Sequence, residues 1–463
     1  VELWKHQQEA NDWAEGRDAI LWHHGMGSGK TKSALAYIER RIEAGATRIF
    51  VACPKAVIAA WVKQVGLWLP GVRIVPLDRG SSKRKADDLS AALADLSPVI
   101  IVTNYESMWR IKQLEKVAWD VIVWDEIHRL KSPTGVASRW ARKLTKANHQ
   151  RAKRLGLSGT LIPHSILDTW AVWAAVEYPL VTWNSSYTLH KAEHAILANG
   201  PQKFVVGYKN LDKAHAKIAA TTHHVKSGDV LDLPPIMFDD IPCELDPREA
   251  RLYRAVETEF CAICEAGTVT PSNALVQLLR IQQICGGSVK FDEASTATQI
   301  CEKASKAAVL SDRLEDLPSA EPVVIFCRFT SDIAAAKAAC RDNNRAVSEL
   351  SGHANELADW QAGKTNALVA QIQSGGIGID LTRAAYCFFY SLGFSLSEYE
   401  QAVARLHRPG QAATTHIYHL VATINGRSTV DGRVYQALRE RKEVLNDIID
   451  GFKKRHAATN GVV

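Results

Sequence analysis

The stretch AILWHHGMGSGKTKSALAYIERRIEAG, residues 19 to 45, passes from an apolar, strand-like segment through a glycine-rich turn into a helical pattern. In that context the turn directs successive backbone N–H groups, and the N-terminus of the following helix, toward phosphate oxygens. Gly27 and Gly29 allow close backbone approach, Lys30 reaches the β- and γ-phosphates, and the Thr31 hydroxyl binds Mg²⁺. His24, Gly25, Met26 and Ser28 complete the loop. His24 stands where the pattern G-x-x-x-x-G-K-[ST] has its first glycine, but that position only starts the turn. Its neighbour His23 points the opposite way on a strand, so the pair suggests packing or a hydrogen bond to the nucleotide rather than a metal site.

A second motif, VIVWDEIHRLKS (121 to 132), puts two carboxylates behind four apolar residues. A buried strand ending in this way delivers Asp125 and Glu126 to the C-terminal edge of a parallel sheet, where such folds bind ligands. Asp125 would hold Mg²⁺ and Glu126 would orient and deprotonate the attacking water. The plainer alternative is a surface acidic pair capping a helix. Far along the chain, QAVARLHRPGQ (401 to 411) places Arg405 and Arg408 three apart, as one helical face would present two guanidiniums to one phosphate. An arginine acting on the transferring phosphoryl group is worth roughly 10³ to 10⁵ in rate. Hydrolysis that waits for these arginines describes a motor rather than a simple ATPase.

The 463 residues suffice for two or three domains with separate cores. With 46% apolar and 23% charged residues, a disordered or collagen-like chain is excluded. A net charge of +6 and a pI near 8.7 permit a polyanionic partner without demanding one. Nine dispersed cysteines suit reduced thiols, and Cys261 and Cys264 read as helix-face cysteines because no second close pair completes a zinc site. No signal-like start or membrane-length run is visible, so a cytoplasmic protein of bacterial or viral origin is expected.

Short β-branched runs alternate with helical stretches: 19–23, 48–53, 98–103, 120–125 and 154–159, then 322–329, 366–373, 386–392 and 415–422. Such runs fit strands buried on both faces. The fold class that follows is α/β, with two doubly wound parallel-sheet lobes and helical insertions between them. Domains are expected over 1–235, with an insertion near 165–225, and over 236–463, with an insertion near 245–315 and an amphipathic helix within 429–455. The Pro234-Pro235 pair marks the crossing.

Taken in order, these motifs resemble those of superfamily-two helicases, and within them the Swi/Snf-type ATPases with RecA-like lobes. LWKHQ (3–7) is similar to the adenine-reading motif, which implies that role for Gln7. VACPKAVIAAW (51–61), VTNYES (102–107) and VIFCRFTSDI (324–333) resemble the motifs that follow the DNA backbone. They imply Lys55, Trp61, Thr103, Asn104, Tyr105, Arg328 and Thr330 as sequence-independent phosphate contacts. QIQSGGIGIDLTRA (371–384) adds Gly378 and Asp380 to the nucleotide side. DEIH, LSGT and the last motif imply His128, Ser158, Gly159, Thr160 and Gln401 as coupling residues. The resemblance spans the whole chain and implies a monomeric two-lobe core without accessory domains, using ATP and Mg²⁺ to move on double-stranded DNA.

Three departures stand out. GTLIPHS (159–165) lacks the family's usual continuation, THHVK (222–226) replaces an arginine-rich run, and QIQSGGIGIDLTRA has Ile372 and Asp380 where the family commonly has threonine and asparagine. Two other functions therefore compete with translocation, a strand-separating DNA or RNA helicase and an ATP-gated nucleic-acid-binding module with weak hydrolysis.

Overall fold

The apolar runs form the central strands of two parallel sheets. The computed structural model describes residues 2–159, 165–198, 205–226, 228, 233–265, 271–289, 297–375 and 379–440. The chain divides into two units, Val1–Asp232 and Leu233–Val463, each with its own sheet.

In the first lobe the strands are β1 (Ala19–His24), β2 (Arg48–Cys53), β3 (Arg73–Pro76), β4 (Val99–Asn104), β5 (Val121–Asp125), β6 (Lys153–Ser158) and β9 (His223–Val225). They lie in the order β3-β4-β2-β5-β6-β1-β9, and every neighbouring pair is parallel. Alternate residues of one strand enter different cores. Phe50, Ile101, Ile122 and Trp124 pack on one face of the sheet, whereas Ile49, Val51, Ile100, Val102, Val121 and Val123 pack on the other. Helices cover both faces, so the strands can be apolar throughout. The parallel arrangement brings the ends of β1, β5 and β6 to one edge, and the glycine loop, Asp125 and Ser158 with them.

The insertion of the first lobe is not purely helical. Between the helices Tyr187–His194 and Leu211–Thr221 lies an antiparallel pair, β7 (Ala195–Leu197) and β8 (Val205–Tyr208). The second lobe starts with β10 (Ile236–Glu244) and contains a short pair, β11 (Ser288–Val289) and β12 (Thr298–Gln299). Its sheet continues with β13 (Val323–Cys327), β14 (Val347–Leu350), β15 (Ala367–Gln371), β16 (Tyr386–Phe389) and β17 (Thr415–Ile424). The order is β10-β17-β16-β13-β15-β14, with β18 (Arg427–Ser428) antiparallel to β17. Pro242 sits within β10 without disrupting the sheet because β10 is an edge strand.

The expected C-terminal amphipathic helix is described over Val430–Arg439, and its continuation to 452 lies outside the described residues. It is fixed by a buried ion pair, in which Lys306 Nζ lies 2.5 Å from Asp431 Oδ2 and donates to the Tyr390 carbonyl at 2.8 Å. Lys306 is only 1% exposed, so removing its charge strands a buried carboxylate. Lys306→Ala is expected to destabilise the second lobe by about 3–5 kcal/mol in denaturant titrations, whereas an exposed pair such as Lys303–Asp342 contributes about 0–1 kcal/mol.

Candidate nucleotide site

α1 (Lys5–Ala14) holds the glycine loop from below. The Ser28 carbonyl accepts hydrogen bonds from His6 Nε2 at 2.9 Å and from Gln7 Nε2 at 3.2 Å, and Gln7 Nε2 also donates to the Gly29 carbonyl at 3.3 Å. Gln7 Oε1 accepts from the Trp4 backbone N–H at 3.0 Å. The side chain is fully buried and braces the loop. Gly29 adopts φ 75°, and a Cβ there would lie 2.3 Å from Gln7 Nε2, so only glycine fits. α2 (Lys30–Glu43) starts at once, with Thr31 half-buried in its first turn.

Lys30 Nζ donates to the carbonyls of His24 at 3.0 Å and Gly25 at 3.2 Å. Ser28 Oγ donates to Gly25 O at 2.7 Å, and Met26 packs on Gly159, where a Cβ would come within 3.3 Å of Met26 Cγ. The loop is thus folded on itself, with its cation held by the carbonyls of the turn. Of the two expectations for His24, packing or a hydrogen bond to the nucleotide, the structure shows packing. Its ring is buried and Nε2 lies 2.9 Å from His223 Nδ1 of β9, so it faces another strand and not a nucleotide. No three or more His, Cys, Asp or Glu residues are placed to hold a metal among the described residues. The side chains of Cys261 and Cys264 lie outside that set, and its seven other cysteines are free.

Asp125 closes β5 in a buried position. Trp61 Nε1 donates to its Oδ2 at 2.8 Å and the Tyr105 hydroxyl donates to its carbonyl at 2.7 Å. Burial first and the charge of Glu126 second push its pKa up to about 6, against the opposing hydrogen bond from Trp61 and the charge of Lys30. Glu126 follows with φ 55° and ψ 51°, a left-handed conformation uncommon outside glycine and characteristic of functional turns. His128 Nδ1 lies 3.3 Å from Glu126 Oε2 and 2.9 Å from Ser158 Oγ, linking Glu126 to the end of β6. A buried carboxylate held above its usual range beside a second carboxylate is a donor set that a divalent cation would stabilise. Asp125, at the sheet edge that also carries Thr31 in the first turn of α2, is the buried carboxylate that fits it.

The same contacts correct the expected DNA path. Trp61 and Thr103 are fully buried and Tyr105 is 3% exposed, because the first and third support Asp125 and Thr103 Oγ1 donates to the Leu77 carbonyl at 3.1 Å. Asn104 is buried as well, with Nδ2 donating to Glu106 Oε2 at 2.8 Å. These side chains cannot touch phosphate without unpacking the lobe, whereas Lys55 is exposed. Trp61 had a signal in the sequence, since Ile58, Trp61 and Val65 form one apolar helix face.

In the second lobe, Arg328 Nη1 donates to Gln282 Oε1 at 2.8 Å and to Leu392 O at 3.3 Å, and its guanidinium lies 4.2 Å from the Phe394 ring centre. Burial lowers its pKa to about 10. It is held inside the lobe, unlike exposed Thr330. Arg405 and Arg408 do not share a helical face. The helix Leu396–Leu406 ends between them because Pro409 disfavours helical backbone at the residue before it. Arg408 sits in the following turn, its Nη1 3.5 Å from Ile379 O. His407 Nε2 lies 2.7 Å from Pro234 O, and Gln411 Nε2 donates to Ala384 O at 2.9 Å, so the turn is tied to its surroundings at both ends. Gln401 Nε2 donates to Ser397 Oγ at 3.3 Å, and Asp380 Oδ1 accepts from Thr382 N and Oγ1 at 3.0 and 2.8 Å. Thr160 and Gly378 lie outside the described residues.

The family model "SNF2-related domain" matches residues 4–288, more than half of the chain. The chain belongs to the SNF2-related family. A second family model, "Helicase conserved C-terminal domain", matches residues 305–410 of this SNF2-related chain. It is 22% identical over 461 residues to the ISWI chromatin-remodeling complex ATPase ISW1 of Saccharomyces cerevisiae, covering 93% of the chain and 39% of that protein. It is 20% identical over 490 residues to the DNA repair and recombination protein RAD54B of Gallus gallus, covering 94% of the chain and 52% of that protein. The chain therefore spans about half or less of these relatives. The helicase domain of Hef from Pyrococcus furiosus has the same fold at 13% identity, with a TM-score of 0.53 and coverage of 94% and 98% of the two chains.

Asp125 supplies a stability test. Its pKa is raised in the folded chain, so its ionised form opposes folding above about pH 6, and that cost is relieved as the pH falls toward the unfolded value of about 3.9. Asp125→Asn, which keeps the acceptor for Trp61, is expected to melt at a higher temperature than the parent at pH 8. The difference should vanish near pH 4.

Proposed function

We propose that the chain is an ATP-driven translocase on double-stranded DNA, which turns hydrolysis in the first lobe into movement along the backbone and remodels protein–DNA or branched DNA structures. The observation that carries the ATPase part is the meeting of Lys30 and the glycine loop with Asp125 and Glu126 at one edge of the first sheet. Membership in the SNF2-related family, and relatives named for chromatin remodelling and for DNA repair and recombination, support duplex DNA as the track. Among the described residues no helix is long and apolar enough to cross a membrane.

In this reading the γ-phosphate replaces the His24 and Gly25 carbonyls as the partner of Lys30, and the loop N–H groups take the remaining phosphate oxygens. Mg²⁺ held by Thr31 and Asp125 supplies neutralisation of phosphate charge. Glu126 holds the attacking water and accepts its proton, and His128 passes the state of Glu126 to Ser158. Arg405 and Arg408 serve the developing charge on the phosphate. Backbone contacts from Lys55 and Thr330 fix position without reading sequence.

The test is steady-state ATPase activity alone and with duplex DNA, single-stranded DNA or RNA, paired with displacement of a third strand from a triplex. Stimulation by duplex together with ATP-dependent displacement is expected. Stimulation by RNA alone, or duplex unwinding in place of displacement, would contradict the reading. Glu126→Gln is expected to abolish turnover while retaining ATP binding, and Arg408→Ala to reduce turnover by about 10³ or more.

A further inference from the structure

His24 replaces a glycine, and its side chain performs a task that glycine could not. The ring is fully buried between Trp22, stacked at 5.4 Å between centroids, and His223 at 5.1 Å. Burial first, and then His223, hold its pKa down to about 2, so the imidazole is neutral. His24 Nε2 and His223 Nδ1, 2.9 Å apart, therefore share one proton in a hydrogen bond between neutral rings. His24 Nδ1 is buried without a hydrogen-bond partner. A bare ring nitrogen is tolerated there better than an orphaned N–H, which places the proton on Nε2 and makes His24 the donor.

The acceptor belongs to β9, which pairs with β1 in the register Trp22↔His223, His23↔His224 and His24↔Val225. The ladder continues into the loop, where Gly25 N donates to Val225 O at 2.7 Å. His223 also lies 5.8 Å from the ring of Trp13 on α1, the helix whose His6 and Gln7 clamp the Ser28 carbonyl. Val225 ends β9, and Leu233 begins the second unit. The first two residues of the phosphate loop, whose carbonyls hold Lys30, are thus bonded to the last strand before the crossover, once through the backbone and once through the ring pair.

We infer that His24 and His223 are positioning residues of the ATPase. Their hydrogen bond fixes the start of the phosphate loop to the strand from which the chain leaves the first lobe, so loop and strand can only move together. This rests on reading the first lobe as the ATP site. The α1 clamp on Ser28 and Gly29 does not depend on the pair, so its loss affects turnover more than nucleotide affinity.

Five variants test the idea beside the parent chain: His223→Ala, His223→Phe and His223→Asn at this half-buried edge position, His24→Ala, and His223→Ala combined with His24→Ala. Asparagine returns an acceptor near the Nδ1 position, whereas phenylalanine returns only the ring that faces Trp13. Duplex-stimulated kcat is expected to fall about tenfold in the alanine and phenylalanine variants, the scale of one lost buried hydrogen bond, with the KM for ATP changed less than about threefold. His223→Asn should recover most of the rate, and the double variant should lose no more than either single change. Full activity in His223→Phe, failure of asparagine to rescue, or additive losses would overturn the inference. A parent chain that hydrolyses no ATP under any condition would instead overturn the ATPase reading beneath it.

Discussion

The buried carboxylate at the end of β5 constrains the first lobe more than any other group. Asp125 is isolated from water, stands beside Glu126 and is held above the usual carboxylate range, so its surroundings must supply partners or a cation. Trp61 gives it an N–H and Tyr105 fixes its carbonyl. The helices carrying these two side chains follow β2 and β4, so the packing of those strands and the position of the carboxylate are one problem. Lys30, held by carbonyls of the glycine loop, is the nearby cation whose charge acts on the same group.

The second lobe repeats the doubly wound plan around a different constraint. There Lys306 is paired with Asp431, and Arg328 is held by the side-chain oxygen of Gln282 and the carbonyl of Leu392. The turn bearing Arg408 is fastened by His407 to Pro234 and by Gln411 to Ala384, on either side of Pro409. A proline-terminated helix with both flanks bonded holds the turn in one shape.

Much of this architecture was legible in the sequence because buried parallel strands are apolar at every position, so β2, β4, β5, β13 and β15 stand out as continuous runs. β9 and β10 were not legible. His223-His224-Val225 has no apolar run, and β10 carries Asp239, Asp240 and Pro242 because an edge strand leaves half its length to solvent. The placement of the candidate site was readable where an apolar strand runs straight into polar residues, which brings Lys30, Asp125 and Glu126 to one sheet edge. It was misread where one residue type serves two ends. Trp61, Thr103 and Tyr105 have groups able to meet phosphate, but their helical or strand periodicity turns them inward. For His24 the sequence left packing and a nucleotide hydrogen bond open, and only the pairing of β1 with β9 supplies its partner.

The most direct measurement of the central claim is a crystal structure of the chain with Mg²⁺, ADP and a planar phosphoryl analogue. The account predicts Lys30 Nζ turned from the His24 and Gly25 carbonyls to the phosphates, the metal against Thr31 and Asp125, and Glu126 facing the in-line water. A nucleotide bound elsewhere, or bound with Lys30 still on those two carbonyls, would contradict it.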